Sequence, residues 1–313
     1  MIYTLTLNPA IDHIVLANKK VELGITNYYT DEYKVIGGKG INAGIILKNL
    51  QADIQAIGIM GENNKEIFLN KFQEINLNNN FFLNEGSTRV NYKIKHLESK
   101  QETELNGMGF NTKKSVLKNL IDYLISNLQK EDIVMLTGSV AVGIDKDIYK
   151  QIGKIANQKK AILICDATNE LLKNVLKEKP FLIKPNLEEI CSTLGIKFNE
   201  DISFEETKEL IKKLKKLGAQ NVLLSMGSKG SLYFDSNNDI YQVGIAKGKL
   251  VNSVGAGDSM LAGFVFGKYK NLSIENTLQY AAASGAATAF NEWLASKDEI
   301  EKLVSKIDVQ KIK

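Results

Sequence analysis

Cysteine, proline, histidine and tryptophan are all scarce in this chain of 313 residues, which contains two, three, two and one of them. Cys165 and Cys191 are far apart and form no Cys-x-x-Cys pattern, so we expect free thiols and no disulfide framework. His13 and His96 belong to no cluster with zinc-ligand spacing, and the chain has no Gly-x-Ser-x-Gly motif. The sequence therefore gives no signal for a zinc site or a serine-hydrolase centre.

Arginine is the scarcest charged residue, because 40 residues are basic and only Arg89 is an arginine. With 36 acidic residues the formal net charge is only +4, which gives no support for nucleic-acid or membrane binding. A guanidinium offers phosphate or carboxylate a planar pair of donors that lysine lacks. Arg89 is therefore a candidate anion-binding residue, with an incidental surface position as the alternative.

Long apolar runs are absent as well, and no stretch is long enough to span a bilayer. The first residues alternate between two faces, as in a strand, and do not resemble a signal peptide. We therefore expect a soluble, cytoplasmic protein.

Strand-like and helix-like segments alternate along most of the chain. Strand-like runs occur at Ile54–Gly58, Ile133–Thr137, Ala161–Asp166, Phe181–Lys184 and Val222–Met226. Helical patterns lie between them, for example at Ile41–Leu50, Ser115–Leu128 and Phe204–Leu217. This order predicts an α/β fold whose mostly parallel sheet is covered by helices on both faces, with ligands bound at the carboxyl ends of the strands.

Two regions, 12–36 and 88–108, show strand-like alternation without helices between. We expect them to form a small antiparallel sheet that projects from a single domain spanning 1–313, as a lid. One face of the second region carries Arg89, Asn91, Lys93 and Lys95.

The most informative stretch is Val254–Ser259, which follows a strand-like run at Lys249–Val251 and opens an apolar helical pattern. Its small residues Gly255, Ala256 and Gly257 allow backbone N–H groups to approach an anion at a helix N-terminus. A carboxylate beside a phosphate site is unfavourable for simple binding. Asp258 is therefore a candidate base that takes the proton of a hydroxyl attacking phosphorus.

A second glycine-rich stretch, Gly37–Gly44, also opens a helix. It is not a Walker A loop, because Gly40 follows the Gly-Lys pair, and it is not the Gly-x-Gly-x-x-Gly pattern of a dinucleotide-dependent oxidoreductase. Gly37 and Gly38 would allow close approach of a polyhydroxylated or phosphorylated ligand, with Lys39 and Asn42 adding charge and hydrogen bonds. Close helix packing is the alternative.

Further candidates follow four predicted strands. Asn186 and Glu189 share a helical face after Lys184, where they are expected either to cap the helix or to orient waters on Mg²⁺. The Ser225–Gly230 stretch follows another strand and fits nucleotide phosphates or ribose, or a simple hairpin turn. Asp12, which suits sugar hydroxyls, and Ser139 follow two other strands.

Together, in this order, these motifs resemble the ribokinase-like sugar kinases, specifically their phosphofructokinase-B branch. The resemblance runs essentially from end to end, from Thr6–Asp12 to Gly255–Asp258. It implies a three-layer α/β/α ribokinase-like fold with a small β-sheet lid.

The resemblance also implies roles for individual residues. Asp258 matches the catalytic base, and the anion hole is matched by Gly255, Ala256 and Gly257. The substrate site is matched by Asp12, Gly37, Gly38, Lys39, Asn42, Arg89 and Ser139, with Lys39 and Arg89 on the side of the substrate phosphate. The ATP site is matched by Lys184, Asn186, Ser225, Gly227, Ser228, Gly230 and Gly257, and Glu189 matches a residue that reaches Mg²⁺ through water.

The resemblance implies ATP- and Mg²⁺-dependent phosphorylation of a ketohexose monophosphate. Fructose 1-phosphate, phosphorylated on its 6-hydroxyl, is the preferred expectation, and tagatose 6-phosphate is the alternative. A homodimer formed through the lid sheet is also expected. From a different functional class, a non-catalytic sugar-phosphate sensor would keep the fold, although the presence of Asp258 argues against it.

Overall fold

The structure is a computed structural model that describes residues 1–99 and 101–313. In chain order the strands are β1 (Ile2–Thr6), β2 (Ala10–Ala17), β3 (Asp31–Gly37), β4 (Ile54–Gly61), β5 (Asn79–Asn84), β6 (Arg89–His96), β7 (Gln101–Asn106), β8 (Ile133–Thr137), β9 (Ile162–Asp166), β10 (Leu182–Ile183), β11 (Asn221–Ser225), β12 (Ser231–Phe234), β13 (Ile240–Val243) and β14 (Val309–Lys311). The α-helices are α1 (Lys39–Asn49), α2 (Glu66–Glu74), α3 (Lys114–Asn127), α4 (Ile148–Gln158), α5 (Asn169–Val175), α6 (Leu187–Leu194), α7 (Phe204–Leu217), α8 (Ala256–Tyr269), α9 (Ile274–Ala289) and α10 (Lys297–Val304).

A ten-stranded sheet, in the order β14-β13-β12-β11-β10-β9-β8-β1-β4-β5, forms the middle layer. Its strands from β11 to β5 run parallel to one another, whereas β12, β13 and β14 extend it antiparallel. Helices α3 to α7 contribute to a hydrophobic core on one face, and α1, α2, α8, α9 and α10 to a second core on the other. The predicted α/β/α layering and mostly parallel sheet are therefore confirmed.

Strand β1 shows how the sequence builds both cores. Tyr3 and Leu5 belong to one core and Ile2 to the other, because successive side chains of a strand point to opposite faces. All five residues of β1 are buried, as expected for a strand in the middle of a parallel sheet.

Helix α8 is buried over ten successive residues, from Asp258 to Gly267. It packs against α9, whose backbone approaches so closely that a Cβ at Gly263 would lie 2.3 Å from the carbonyl oxygen of Tyr280. A helix that is apolar on all sides belongs in an interior, and this burial fixes the position of the N-terminus of α8.

The second sheet has four strands in the order β3-β2-β6-β7 and lies largely in the two regions predicted to form a lid, although β2 begins at Ala10 and β3 ends at Gly37. Its two outer pairings are antiparallel as expected, but β2 and β6 pair in parallel. The expectation of a purely antiparallel sheet is wrong at this pair because β2 and β6 are separated by β3, α1, β4, α2 and β5 and are not joined by a hairpin. A single domain spanning 1–313 stays a prediction.

The strand-like run at Lys249–Val251 forms no strand. Leu250 and Val251 are 66% and 48% exposed, and the backbone N–H of Val251 donates to the carbonyl of Ala289 at the end of α9. The run thus buries little apolar surface, and its backbone bonds to the end of a helix instead of to a strand.

Among the described residues, no helix combines the length and the apolar character needed to cross a membrane.

Candidate active site

The carboxyl ends of the central strands form one edge of the main sheet. The register pairs Thr6 with Thr137, and Thr137 with Asp166, so β1, β8 and β9 end in a single row. Three helices begin along this edge or beside it, namely α1, α6 and α8. Their N-termini carry the glycine-rich and acidic candidates, which is the arrangement expected for a ligand site in a parallel sheet.

The N-terminus of α8 provides an amide-lined end. Gly255 is its N-cap and has a left-handed backbone with φ of 79°, which glycine adopts without steric cost. No side chain caps this end. The N–H of Ala256 donates to the carbonyl of Ser253 at 3.2 Å, and the other N–H groups of the first turn keep their capacity to bind an anion. A Cβ placed on Gly257 would lie 3.4 Å from Nζ of Lys184, so a cation flanks the same turn.

Asp258 lies in that first turn and is 8% exposed. Its Oδ2 accepts a hydrogen bond of 2.8 Å from Nδ2 of Asn42 on α1. Burial raises the pKa of Asp258 to about 6; Asp166 adds to the rise, whereas Lys39, the Asn42 hydrogen bond and Lys184 oppose it. A carboxylate with this pKa is ionised at neutral pH and basic enough to accept a proton from an alcohol in the transition state.

Asp166 holds two lysines at the end of β9. Its Oδ1 accepts a hydrogen bond of 3.2 Å from Nζ of Lys39, and its Oδ2 lies 3.4 Å from Nζ of Lys184. The second contact is an ion pair without hydrogen-bond geometry, and Oδ2 has no other hydrogen-bond partner among the described residues. Burial opposes the charge of Lys39, but Asp166, Asp258 and Glu189 outweigh it and raise the pKa of Lys39.

The glycines before α1 serve both packing and the site. A Cβ on Gly40 would lie 2.4 Å from the carbonyl oxygen of Leu5, so α1 lies directly on β1 at this point. A Cβ on Gly37 would lie 3.2 Å from Oδ2 of Asp12, and one on Gly38 would lie 2.8 Å from Cγ2 of Thr6. Close packing, the alternative given for this glycine-rich stretch, therefore explains Gly40, although α1 packs there on a strand and not on another helix.

Asp12 is the centre of a polar group under the lid. Its Oδ1 accepts a hydrogen bond of 2.9 Å from Nδ2 of Asn91, and its Oδ2 lies 3.4 Å from Nζ of Lys93. Lys93 also lies 3.8 Å from Glu104 on β7. Asp12 and Lys93 border a cavity of about 150 Å³, whose lining also includes Ile14, Tyr33, Gly37, Asn42, Lys95, Trp293 and Leu294.

Arg89 lies at the base of the lid, where its side chain donates to the carbonyls of Asn8 and Pro9, both at 3.3 Å. The side chain of Asn8 in turn donates to Oγ of Ser139 at 3.0 Å. Arg89 lines an open cleft of about 800 Å³ that is separate from the cavity beside Asp12. Arg89 and Ser139 are thus linked through Asn8, and Asp12 lies nearby, two residues from Ala10, the register partner of Arg89 on β2.

The N-terminus of α6 is closed by a capping box. Asn186 accepts from the N–H of Glu189 at 2.7 Å, and Oε2 of Glu189 accepts from the N–H of Asn186 at 2.9 Å. Ser225 forms an isolated parallel bridge with Asn186, which brings β11 beside this helix end. Gly227, Ser228 and Gly230 belong to the turn that joins β11 to β12, so the hairpin alternative describes their backbone.

Sequence reasoning missed Asp166 and did not include Lys93 among the site residues. The signal for Asp166 was its place at the carboxyl end of a predicted strand, where ligands bind in parallel sheets. The signal for Lys93 was its position on the same face of a strand as Arg89. Trp293 and Leu294 at the cavity carried no sequence signal, because only tertiary packing brings their loop there.

These arrangements define a class of protein. A family model described as pfkB family carbohydrate kinase matches residues 5–298, and the chain belongs to this family. It is therefore a phosphotransferase that acts on a hydroxyl group of a sugar.

Individual relatives cover the whole chain. It is 37% identical to the 1-phosphofructokinase of Bacillus subtilis (strain 168) over 312 residues, which cover 100% of both chains. It is 31% identical to the D-tagatose-1-phosphate kinase of Bacillus licheniformis, with 99% of each chain covered. A solved structure of a candidate phosphofructokinase from Staphylococcus aureus matches with a TM-score of 0.84 at 37% identity, covering 99% of this chain and 98% of that one.

Proposed function

We propose that this chain transfers the terminal phosphoryl group of ATP to the 6-hydroxyl of fructose 1-phosphate, giving fructose 1,6-bisphosphate. The observation that carries the proposal is the position of Asp258, a buried carboxylate with a pKa of about 6 in the amide-lined first turn of α8. Relatives named 1-phosphofructokinase, 37% and 33% identical over the full length, support the choice of substrate.

Asp258 accepts the proton of the 6-hydroxyl as that oxygen attacks phosphorus. Asn42 orients the carboxylate through its hydrogen bond to Oδ2, which leaves Oδ1 for the alcohol. A positioned base of this kind contributes about 10²- to 10⁴-fold to the rate. The remaining acceleration comes from alignment and charge stabilisation, because phosphoryl transfer needs little covalent chemistry from the protein.

The N–H groups of the first turn of α8 stabilise charge on the phosphoryl group. Gly255, Ala256 and Gly257 form this turn, and the positive end of the helix dipole points toward the same place. Lys184, which lies beside Gly257, is proposed to neutralise the nucleotide phosphates.

The sugar phosphate is proposed to lie between α8 and the lid. Asp12, Gly37, Gly38 and Asn42 would hold its hydroxyls, since a carboxylate and an amide offer the acceptors and donors that hydroxyls need. Arg89 and Ser139 would bind its 1-phosphate, because a guanidinium matches phosphate geometry.

The nucleotide is proposed to lie along α6 and the turn after β11. Asn186, Ser225, Gly227, Ser228 and Gly230 would line its phosphates and ribose. The bridge between Asn186 and Ser225 supports this, because it places the two candidate segments side by side.

Mg²⁺ fits this site only as a hydrated ion that arrives with the nucleotide. Among the described residues no group of three or more His, Cys, Asp or Glu side chains could hold a metal. Mg²⁺ keeps several waters and relies on substrate phosphates, where it neutralises their charge. Glu189, with only Oε2 committed to the capping box, is proposed to hold one of those waters.

A tagatose phosphate is the second candidate substrate, and the observation that favours it is the relative named D-tagatose-1-phosphate kinase. Its name specifies a 1-phosphate, in contrast to the tagatose 6-phosphate expected from the sequence. Tagatose differs from fructose only at C4, so both 1-phosphates present the same 6-hydroxyl.

The deciding experiment is a coupled ADP-release assay with fructose 1-phosphate, fructose 6-phosphate, tagatose 1-phosphate, tagatose 6-phosphate and fructose. We expect the largest kcat/KM for fructose 1-phosphate, with magnesium required and chelation abolishing turnover. Sugar-phosphate binding without ADP release would identify a sensor and contradict the proposal. The Asp258→Asn protein, purified in parallel, reports any contaminating kinase.

We also infer a homodimer formed through the lid, in a cytoplasmic protein whose two cysteines are free and buried. The outer face of the lid carries Tyr92 and Leu105 side by side in register, 44% and 59% exposed. An apolar pair this exposed on a sheet face is suited to burial against a second copy.

Sedimentation velocity checks the dimer. Leu105→Lys is expected to shift the protein toward monomer at micromolar concentration. Leu217→Lys on α7, at a residue 42% exposed and outside the lid, serves as the matched control. A wild-type protein that sediments as a monomer would rule the dimer out.

A further inference from the structure

Lys39 follows the glycines that precede α1, and its side chain is directed toward carboxylates of the main body. Its Nζ donates to Oδ1 of Asp166 at 3.2 Å, and its stem runs over Gly138, where a Cβ would lie 3.5 Å from Cγ of Lys39. Arg89 and Ser139, the proposed ligands of the sugar's own phosphate, form no hydrogen bond with this ammonium group among the described residues. The expectation that Lys39 serves the substrate-phosphate side therefore conflicts with where its charge lies.

The charge balance around Lys39 shows why its ammonium group is not required as a structural counterion. Asp166 already has a second cation, Lys184, whose Nζ lies 3.4 Å from Oδ2. The side chain of Lys184 is 5% exposed, whereas that of Lys39 is 36% exposed. Lys39 is thus the member of the pair that faces the open side of the cluster.

Lys39 is also coupled to the base. Its charge acts on Asp258 together with the charges of Asp166 and Lys184 and the hydrogen bond from Asn42. Geometry gives the same location, because Lys39 shares Asp166 with Lys184, and Nζ of Lys184 would lie 3.4 Å from a Cβ on Gly257 in the first turn of α8. A phosphoryl group that approaches the α8 amides would gather negative charge in this region.

We propose that Lys39 is a catalytic residue whose ammonium group binds the phosphoryl group in transit, and not the phosphate already present on the sugar. This inference rests on the proposed kinase function and assigns a role within the same site.

In the transfer step a bond forms between the sugar oxygen and the terminal phosphorus of ATP. The bond from that phosphorus to the bridging oxygen breaks, its electron pair stays on ADP, and the hydroxyl proton passes to Asp258. Lys39 keeps its proton throughout, because the surrounding carboxylates favour its charged form. It contributes a permanent positive charge, and its ammonium group exchanges the carboxylate of Asp166 for the phosphoryl oxygens.

The test compares Lys39→Met, Lys39→Arg and Lys48→Met. Lys48 is on the same helix, in its last turn, and serves as the matched control. Lys39→Met is expected to lower kcat by about 10²- to 10³-fold, the cost of removing one such donor. Lys39→Arg should recover part of this loss because the charge is retained. Lys48→Met should match the wild type.

Two further readouts separate this role from the alternatives. Trp293 is the only tryptophan and lines the cavity beside Asp12, so its fluorescence reports sugar-phosphate binding. Lys39→Met should bind fructose 1-phosphate as the wild type does. The acid limb of the pH–activity profile of Lys39→Met should move to higher pH, because one of the cations that favour ionised Asp258 is lost.

The proposal is overturned if Lys39→Met keeps its kcat and instead loses affinity for fructose 1-phosphate, which is the result expected of a substrate-phosphate ligand. It is also overturned if kcat falls with an unshifted acid limb and a lowered melting temperature, since that combination indicates a structural role. Failure of the kinase function itself is distinguishable, because then the wild type would release no ADP.

Discussion

The two sides of the candidate site are built differently. On the body side, Asp258 and Asp166 are 8% and 2% exposed and lie on elements buried between the main sheet and its helices. On the lid side, Asp12 and Lys93 are also buried, at 9% and 8% exposed, but they lie on a four-stranded sheet whose last strand, β7, is exposed at every residue. The groups proposed for chemistry thus have rigid support, whereas the groups proposed to recognise the sugar belong to the region with fewer buried contacts.

This difference has a physical reason. A base and an anion-binding helix end must be held within fractions of an ångström, which a packed interior provides. A lid that admits and releases a substrate must move, and segments that move have little buried apolar surface. Changes on the body side should therefore act on kcat, and changes on the lid side on KM for the sugar phosphate.

The largest effect is expected for Asp258→Asn. Asparagine keeps the shape of the side chain but cannot take the proton, so kcat should fall by about 10²- to 10⁴-fold. The KM for ATP should stay nearly unchanged, as measured by steady-state ADP release. Asp122→Asn, at a surface carboxylate 52% exposed, is the control. Near-normal turnover of Asp258→Asn would refute its role as the base.

Arg89→Met examines the lid side. Loss of charge-assisted hydrogen bonds of about 1.5–3 kcal/mol should raise the KM for the sugar phosphate roughly 10- to 100-fold. The KM for ATP and kcat should change much less. Lys113→Met is the matched control, because Lys113 is a cation in the same cleft. Equal effects of Arg89→Met on the two KM values would remove the proposed division between body and lid.

Gly40→Ala measures how rigidly α1 is held on β1. The added methyl group meets the backbone oxygen of Leu5 at 2.4 Å, so we expect a loss of about 1–3 kcal/mol in the free energy of unfolding. Gly44→Ala on the same helix meets Oγ1 of Thr4 at 3.0 Å, a side-chain atom that can move. It should be close to neutral, because alanine favours a helix over glycine. Similar denaturation midpoints for both variants would show that α1 is free to shift.

The smallest effect concerns pH. Asp258, with a pKa of about 6, must be ionised to accept a proton, so activity should rise with pH and level off above 6. At one pH unit below the midpoint, kcat/KM should be about tenfold lower than on the plateau. The substrate phosphate also titrates near this pH. Asn42→Ala separates the titration of Asp258 from that of the substrate phosphate. Loss of its hydrogen bond should raise the pKa of Asp258 and leave that of the substrate phosphate unchanged. An unmoved midpoint would assign the limb to the substrate.

The sequence predicted well those elements whose hydrophobic pattern is supported by a second local signal, such as a helix cap. The runs at Ile133–Thr137 and Phe204–Leu217 match β8 and α7 in both bounds, because β8 is a short run that is buried at every residue and a capping box from Ser203 begins the helix. The prediction of a strand at Lys249–Val251 is wrong because no such second signal was present. Its pattern was strand-like, but Leu250 and Val251 are exposed and the backbone bonds to the end of α9 instead of to a strand.

For the candidate site, motifs indicated which residues matter but not which ones meet. Asp258 and Asn42 are separated by 216 positions along the chain and share a hydrogen bond of 2.8 Å. Lys39 and Asp166, 127 positions apart, form an ion pair that no local pattern could indicate. Sequence spacing holds no information about such pairs, because the register of the sheet creates them.

By itself the sequence determined the layered α/β architecture, the helix N-termini at Gly38, Asn186 and Gly255, and the family to which the chain belongs. These depend on short-range periodicity, caps and turns, which physical chemistry specifies locally. Only the tertiary structure decided that β2 and β6 run parallel, that Asp166 holds both Lys39 and Lys184, and that Asn42 donates to Asp258. Those outcomes depend on which strands become neighbours and on how much water their packing excludes from the charges between them.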